Sequence, residues 1–252
     1  MTFEMPDGAV IAISSYVMRG KIGNRAIVFA LETLGYNTWS VPTVVLPWHP
    51  GHGRATRLQF EGEAFATALG ELGESRWRGE VRAVISGYLA NAGQAEAIAK
   101  LVEGLRAENP DLIYLCDPVI GDEGGLYVGD ETAIAIRDRL LPLADIATPN
   151  RFELSWLAGR ALEDNTATID AALALGPAEV VVTSAHSMLK QGVAALFVDR
   201  KQALLAEHAR IENPPNGLGD LFSALFLAAR LAGKPPAEAL EKSTASVFET
   251  LT

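Results

Sequence analysis

Short β-branched runs alternate with longer stretches whose apolar residues recur at helical spacing. The runs Ala9–Ser14, Trp39–Val45, Val81–Ser86, Leu112–Cys116, Asp145–Ala147 and Glu179–Ser184 predict strands. Several are apolar throughout rather than alternating, as strands covered on both faces are. Between them the spacing predicts helices over Asn24–Leu34, Glu61–Leu72, Ala92–Glu108, Glu131–Leu140, Phe152–Leu157, Thr168–Leu175, Asp220–Leu231 and Ala237–Thr250. Gly35 sits where a helix C-cap is wanted, and Pro110 stops the third helix. Ala194–Val198 followed by Ala203–Glu207 reads as a hairpin late in the chain. The alternation predicts an α/β fold, its mostly parallel sheet sandwiched between helices. No fixed-period repeat, low-complexity tract or Pro/Ser-rich linker divides residues 1–252, so a single domain is expected. The last helical pattern runs to the end of the sequence without a cap.

Charge narrows the partners. The 252 residues carry 21 basic and 31 acidic side chains, a net charge of −10. Nucleic-acid phosphates and anionic lipid both need a Lys/Arg surface, so neither is an expected partner. Cys116 is the single cysteine and cannot form an internal disulfide, which fits a reducing, cytoplasmic home. The apolar run at residues 9–15 follows a segment with Glu4 and Asp7 and no basic residue, unlike a secretory signal. The apolar region Leu221–Gly233 is broken by Ser223 and Arg230 and is shorter than the roughly 20 residues of a membrane span.

Familiar catalytic signatures are missing. Gly20-Lys21 continues with Ile and Gly233-Lys234 with Pro, so there is no P-loop. Gly217-Leu-Gly219 meets Phe222 where a dinucleotide fingerprint needs glycine. There is no nucleophile elbow and no His-Glu-x-x-His. His49-x-x-His52 is read as a loop pair that binds no metal.

Three oxygen-rich segments remain. Asn216-Gly-Leu-Gly-Asp220 enters an apolar helix. Its glycines can turn backbone N–H groups toward one point, and the helix end adds more, which makes an anion hole. Asp220 is then either the helix cap or a carboxylate that takes a proton from an attacking hydroxyl. Cys116-Asp-Pro-Val-Ile-Gly-Asp122 and Thr148-Pro-Asn-Arg-Phe-Glu153 each follow a strand, which places Asp117, Asp122, Asn150 and Glu153 at the sheet edge where α/β ligands bind. Such oxygens suit Mg²⁺, which completes its shell with water and phosphate. Each segment alone reads as a capped turn; their joint occurrence points to a site. Ser14-Ser15-Tyr16 and Ser86-Gly-Tyr88 offer hydroxyls and an aromatic face at the same edge.

These segments recur in order in a known family. Ile13–Asn24, Ser86-Gly-Tyr88, Asp117–Asp122, Thr148–Glu153, Val181-Val-Thr-Ser184 and Gly217-Leu-Gly-Asp220 together resemble the pyridoxal kinases of the ribokinase-like superfamily, over about Val10 to Thr250. The resemblance implies a three-layer α/β/α kinase that phosphorylates the 5′-hydroxymethyl group of pyridoxal, pyridoxine and pyridoxamine with ATP. It implies Asp220 as catalytic base, with Gly217, Leu218 and Gly219 as the anion hole. Ser15, His49 and Tyr88 would contact the vitamer. Asp122, Asn150 and Glu153 would organise Mg²⁺ and the phosphates, directly or through water. Asp117 and Thr148 would stand by a K⁺ or Na⁺, and Thr183 and Ser184 by the nucleotide. Family members are commonly homodimers and usually continue past the position of Thr252. Two departures stand out: Pro50 replaces a Thr of the substrate loop and has no hydroxyl or N–H, whereas Leu218 keeps the backbone N–H of the residue it replaces. A kinase for hydroxymethylpyrimidine or a sugar, and a non-catalytic binder of vitamer or nucleotide, are the alternative readings.

Overall fold

A computed structural model describes residues 8–252; Glu4 and Asp7, used above to argue against a secretory signal, lie outside the described residues. The chain opens with β1 (Ala9–Arg19), α1 (Asn24–Thr33), β2 (Asn37–Trp48), β3 (Leu58–Gln59) and α2 (Gly62–Glu74). It continues through β4 (Val81–Ser86), α3 (Ala92–Glu108), β5 (Ile113–Cys116), the small hairpin β6 (Gly121–Asp122) and β7 (Gly125–Leu126), and α4 (Asp130–Ala135). Then come β8 (Ile146–Ala147), α5 (Arg151–Ala158), α6 (Asn165–Ala174) and β9 (Glu179–Ala185). The chain closes with β10 (Gly192–Val198), β11 (Ala203–Ala209), α7 (Leu218–Leu231) and α8 (Pro236–Glu249).

Nine strands form one sheet in the order β11-β10-β9-β8-β5-β4-β1-β2-β3. The pairs from β2 to β9 are parallel; β10, β11 and β3 join antiparallel. The central strands are mostly apolar, apart from Arg82 and Ser86 of β4 and Ser14 and Ser15 of β1, because both faces are covered. Along β1, Ile11 and Ile13 face one core while Val10 and Ala12 face the other. The first core is closed by α2 through α6, the second by α1, α7 and α8. The result is the expected three layers, and the late hairpin is β10–β11.

Several boundaries differ from the pattern. β1 runs five residues beyond Ser14, so Ser15 and Tyr16 belong to the strand and not to a loop after it. Pairing with β2 carries it on, with a register shift between Ser14 and Tyr16. The predicted helix Glu131–Leu140 is α-helical only to Ala135 and widens to a π turn over Ile136–Leu140, ahead of Pro142. No helix among the described residues is long and apolar enough to cross a membrane.

From β1 the chain crosses by α1 to β2 on one side, whereas β4 hands on by α3 to β5 on the other. The carboxyl ends of β1 and β4 therefore flank a topological switch point, the crevice where open α/β sheets bind ligands.

Candidate active site

Two glycines shape the crevice. Gly217 precedes α7 at φ 96°, and a Cβ there would stand 2.2 Å from the carbonyl oxygen of Lys21. Gly23 precedes α1 at φ 61°, and a Cβ there would meet the Ser15 carbonyl at 2.1 Å. Only glycine tolerates both the left-handed backbone and the contact. The Gly-x-Gly-Asp segment is thus pressed against the turn after β1.

Asp220 lies in the first turn of α7 but caps nothing: the helix has no side-chain cap, and the Asp220 carboxylate instead accepts the Gly23 N–H at 2.9 Å. This settles one alternative left open by the spacing. Burial pushes the carboxyl up to about 6, with the Gly23 hydrogen bond holding it lower than burial alone would. Asp220 is ionised at neutral pH yet basic enough to receive a proton. Gly87, after β4, leaves room nearby; a Cβ on it would sit 3.7 Å from Asp220 Oδ1 and 2.5 Å from Ser14 Oγ.

Asp117 is buried behind this position and accepts the Ser223 hydroxyl at 3.0 Å. Ser223 Oγ in turn lies 2.8 Å from Thr148 Oγ1. Burial, and then the charge of Asp220, raise Asp117 to about 8, against hydrogen bonds from Ser223 and Thr148. In the sequence Ser223 stands out only as a break in an apolar run, although it lies one helical turn after Asp220 on the same face of α7.

Glu153 is 3 % exposed and completes a capping box with Asn150. Its Oε2 accepts the Asn150 N–H at 2.7 Å, and its Oε1 accepts Ile120 N–H at 3.0 Å and Gly121 N–H at 3.4 Å. Asn150 Nδ2 donates to the Gly121 carbonyl at 2.8 Å. The pair fastens the Asp117–Asp122 loop to the start of α5. Burial, followed by the charge of Asp117, raises Glu153 well above the usual carboxylate range. Asp122 is exposed and accepts the Gly124 N–H at 2.7 Å in its own turn.

The charge of Asp220 reaches Asp117 and that of Asp117 reaches Glu153, and none of the three takes part in an ion pair among the described residues. Such a set wants a cation. Among the described residues no three His, Cys, Asp or Glu side chains converge as a protein-only metal cage would require. The donors fit an ion that takes part of its shell from phosphate and water.

Five of the predicted nucleotide residues line two adjoining cavities, whereas Asp117, Glu153 and Gly217 line neither. Thr183, Ser184, Leu218 and Gly219 line an apolar slot of about 210 Å³. Asp122, Asn150 and again Ser184 line an open cleft of about 1080 Å³, which also holds Arg151 and Arg210. Arg151 donates to Glu123 at 3.0 Å. Ser184, where slot and cleft meet, adopts φ 62°, a strained conformation for a non-glycine residue and one that concentrates at functional sites.

The residues predicted to contact substrate are tied to the strand ends and loops around Gly23 and Asn216. Ser15 is buried against Gly23, and the Tyr88 N–H donates to Ser14 Oγ at 3.2 Å. The Tyr88 hydroxyl accepts from Arg57 at 3.2 Å. His49 caps the turn Pro50–His52, and its Nδ1 lies 3.2 Å from Asn216 Nδ2, tying the Pro50 loop to the residue before Gly217. That link spans 167 residues, and no local pattern announces it. His49 and His52 stand edge to face with ring centroids 6.5 Å apart.

A nine-stranded, mostly parallel sheet between two helical layers, with a glycine-shaped anion hole and an aspartate at its switch point, is the architecture of ribokinase-like small-molecule kinases. Known proteins agree. A family model described as phosphomethylpyrimidine kinase matches residues 77–252. The pyridoxine/pyridoxal/pyridoxamine kinase of Bordetella pertussis is 41 % identical, covering 96 % of this chain and 88 % of that protein. The pyridoxal kinase PdxY of Granulibacter bethesdensis is 35 % identical with the same coverage. Among solved structures, pyridoxal kinase from Leishmania donovani in complex with ADP and pyridoxamine superposes with a TM-score of 0.89 at 29 % identity, covering 96 % of this chain and 85 % of that one. The chain belongs to the pyridoxal kinase family.

Proposed function

We propose that this kinase transfers the γ-phosphate of ATP to the 5′-hydroxymethyl group of pyridoxal, pyridoxine and pyridoxamine. The observation that carries the reading is Asp220: a carboxylate poised near pH 6, held by Gly23, beside the amides of Gly217–Gly219 at the start of α7. Asp220 accepts the hydroxyl proton as the oxygen attacks in line. The Gly217, Leu218 and Gly219 N–H groups and the helix end stabilise charge on the transferring phosphoryl group. Ser15, Tyr88 and His49 hold the vitamer, and Thr183 and Ser184 the nucleotide.

Mg²⁺ would be held by Asp122 and, through water, by the Asn150–Glu153 side; when bound it spreads phosphate charge. K⁺ or Na⁺ would be held by Asp117 and Thr148. The uncompensated carboxylates support both assignments. We further infer that residues 1–252 form one domain, that the chain works in the cytoplasm, which the undisulfided Cys116 supports, and that it pairs as a homodimer, to be read by light scattering.

ADP release with a panel of pyridoxal, pyridoxine, pyridoxamine, hydroxymethylpyrimidine and ribose tests the reading. The vitamers should lead in kcat/KM. Hydroxymethylpyrimidine in front would instead favour the second reading, which the family model's description and Pro50 in the substrate loop support.

A further inference from the structure

The slot beside Gly219 lies between the β9–β11 edge of the sheet and helices α7 and α8, with Phe222, Val247 and Leu251 among its walls. Apolar walls accept any flat ring, so selectivity has to come from the few polar atoms among them. Besides Thr183 and Ser184, two side chains supply such atoms. His208 on β11 has Nδ1 2.8 Å from the carbonyl oxygen of Ala209. A carbonyl only accepts, so Nδ1 carries a proton, and in the neutral imidazole Nε2 is then the acceptor. Nε2 has no partner among the described residues. The His208 ring rests against Phe248, with centroids 5.0 Å apart, and this fixes its plane. Thr244 on α8 lines the same slot, is 7 % exposed, and has a hydroxyl without a hydrogen-bond partner. An unpaired buried hydroxyl is costly until something completes it.

We propose that His208 selects the base of the phosphate donor, with Thr244 as its non-selective companion. Nε2 accepts from an exocyclic amino group, as at the 6-position of adenine. It turns away 6-keto purines, whose oxygen would face its lone pair. Thr244, able both to donate and to accept, steadies either ring. The inference rests on the nucleotide reading of the slot but not on phosphate transfer.

Calorimetry of the full chain with ADP, IDP and purine riboside diphosphate, which lacks the amino group, tests it. A neutral hydrogen bond of this kind corresponds to about 3- to 10-fold in affinity. ADP should therefore bind about 3- to 10-fold more tightly than purine riboside diphosphate, and at least as far ahead of IDP. His208→Phe keeps a ring on Phe248 and removes the lone pair, so it should bring ADP and IDP within about twofold. Thr244→Val should weaken both about equally. Equal binding of ADP and purine riboside diphosphate by the unaltered chain overturns the proposal, whatever the variants do. So does an undiminished ADP preference in a folded His208→Phe protein. A chain that prefers ADP in this way yet phosphorylates no vitamer would refute the proposed function and leave base selection standing.

Discussion

Asp220→Asn should remove activity and add stability. The substitution preserves shape and leaves an amide oxygen to accept the Gly23 N–H, now 2.9 Å from Oδ2. What it deletes is a charge held in a crevice without a basic partner. A carboxyl that ordinarily titrates near 3.9 and is held at about 6 in the fold costs at most about 3 kcal/mol at pH 7, and remaining contact with water takes a share of that. The sign follows from the direction of the shift. Because the folded state binds this proton more tightly, its stabilising contribution is fully present below about 3.9 and is lost as pH rises through about 6. Asp220→Asn is spared that loss. It also relieves Asp117, which the neighbouring charge helps raise to about 8.

At about 2–4 °C per kcal/mol for a chain of this size, the variant should melt several degrees above the parent at pH 7. The gap should close as pH approaches 4. Turnover with pyridoxal should fall about 10²- to 10⁴-fold, the usual range for losing a general base. Melting between pH 4 and 8, alongside ADP release, gives both readouts. A helix cap would give the opposite sign, a loss of about 1 kcal/mol on removal. An Asn variant that melts lower at pH 7, or turns over within a few-fold of the parent, refutes the assignment.

Further expectations concern the frame of the site. Gly217→Ala would drive a Cβ to 2.2 Å from the Lys21 carbonyl; relief requires a shift of about 1 Å, enough to cut kcat about 10²-fold in a steady-state assay. Glu153→Gln sets an amide N–H against one of the main-chain donors at Ile120, Gly121 or Asn150, and a urea titration should show about 1–3 kcal/mol lost. Cys116 is buried with its thiol pushed up to about 12, so a thiol reagent should label it in urea but not in the native protein on the same timescale. Chelating divalent ions should weaken ATP binding in calorimetry; an unchanged affinity would contradict a cation-dependent nucleotide site.

The fold was legible where burial is symmetric. Val81–Ser86 and Ala92–Glu108 match the pattern end to end because a mostly apolar central strand and a long amphipathic helix leave little to context. The pattern stops early at β1 because Ser14 and Ser15 interrupt the apolar run, while pairing with β2 and a small core of Val17, Val44 and Leu46 carry the strand on to Arg19. β3, β6 and β7 are two residues each, too short to have a period. Within the site, Asp117, Thr148, Asn150, Glu153 and Asp220 were nameable because each follows a strand or opens a helix. What each one touches was not. Gly23 N–H reaches Asp220 across 197 residues, and Ser223 meets Asp117 across 106. These contacts exist only once the sheet order places β1 beside β4 and packing sets α7 against α1 and β5. Glu153 shows the same limit, since its segment reads equally as a capped helix start and as a ligand site, and in the fold it is a capping box that also fastens the loop carrying Asp122.

The charge balance looks different once the site is in place. A chain at −10 repels polyanions at long range, and ATP is one. The crevice has no ion pair to offset this: burial and mutual repulsion push Asp117 and Glu153 toward the neutral acid and leave Asp220 as the charged member. Of the arginines lining the adjoining cleft, Arg151 is already held by Glu123. Attraction therefore has to be short-ranged. The main-chain N–H groups of Gly217–Gly219 carry only partial charge, but they act where water is excluded and dipoles count for most. The apolar slot contributes without any charge. On the proposed reading the acids would have a use that an ordinary anion site does not, drawing in the cations that the phosphates also require. Asp220 pays for its own position in this arrangement, being raised by burial to the range in which a carboxylate can take a proton at neutral pH. The instability of the empty site and its competence as a base are one property seen from two sides.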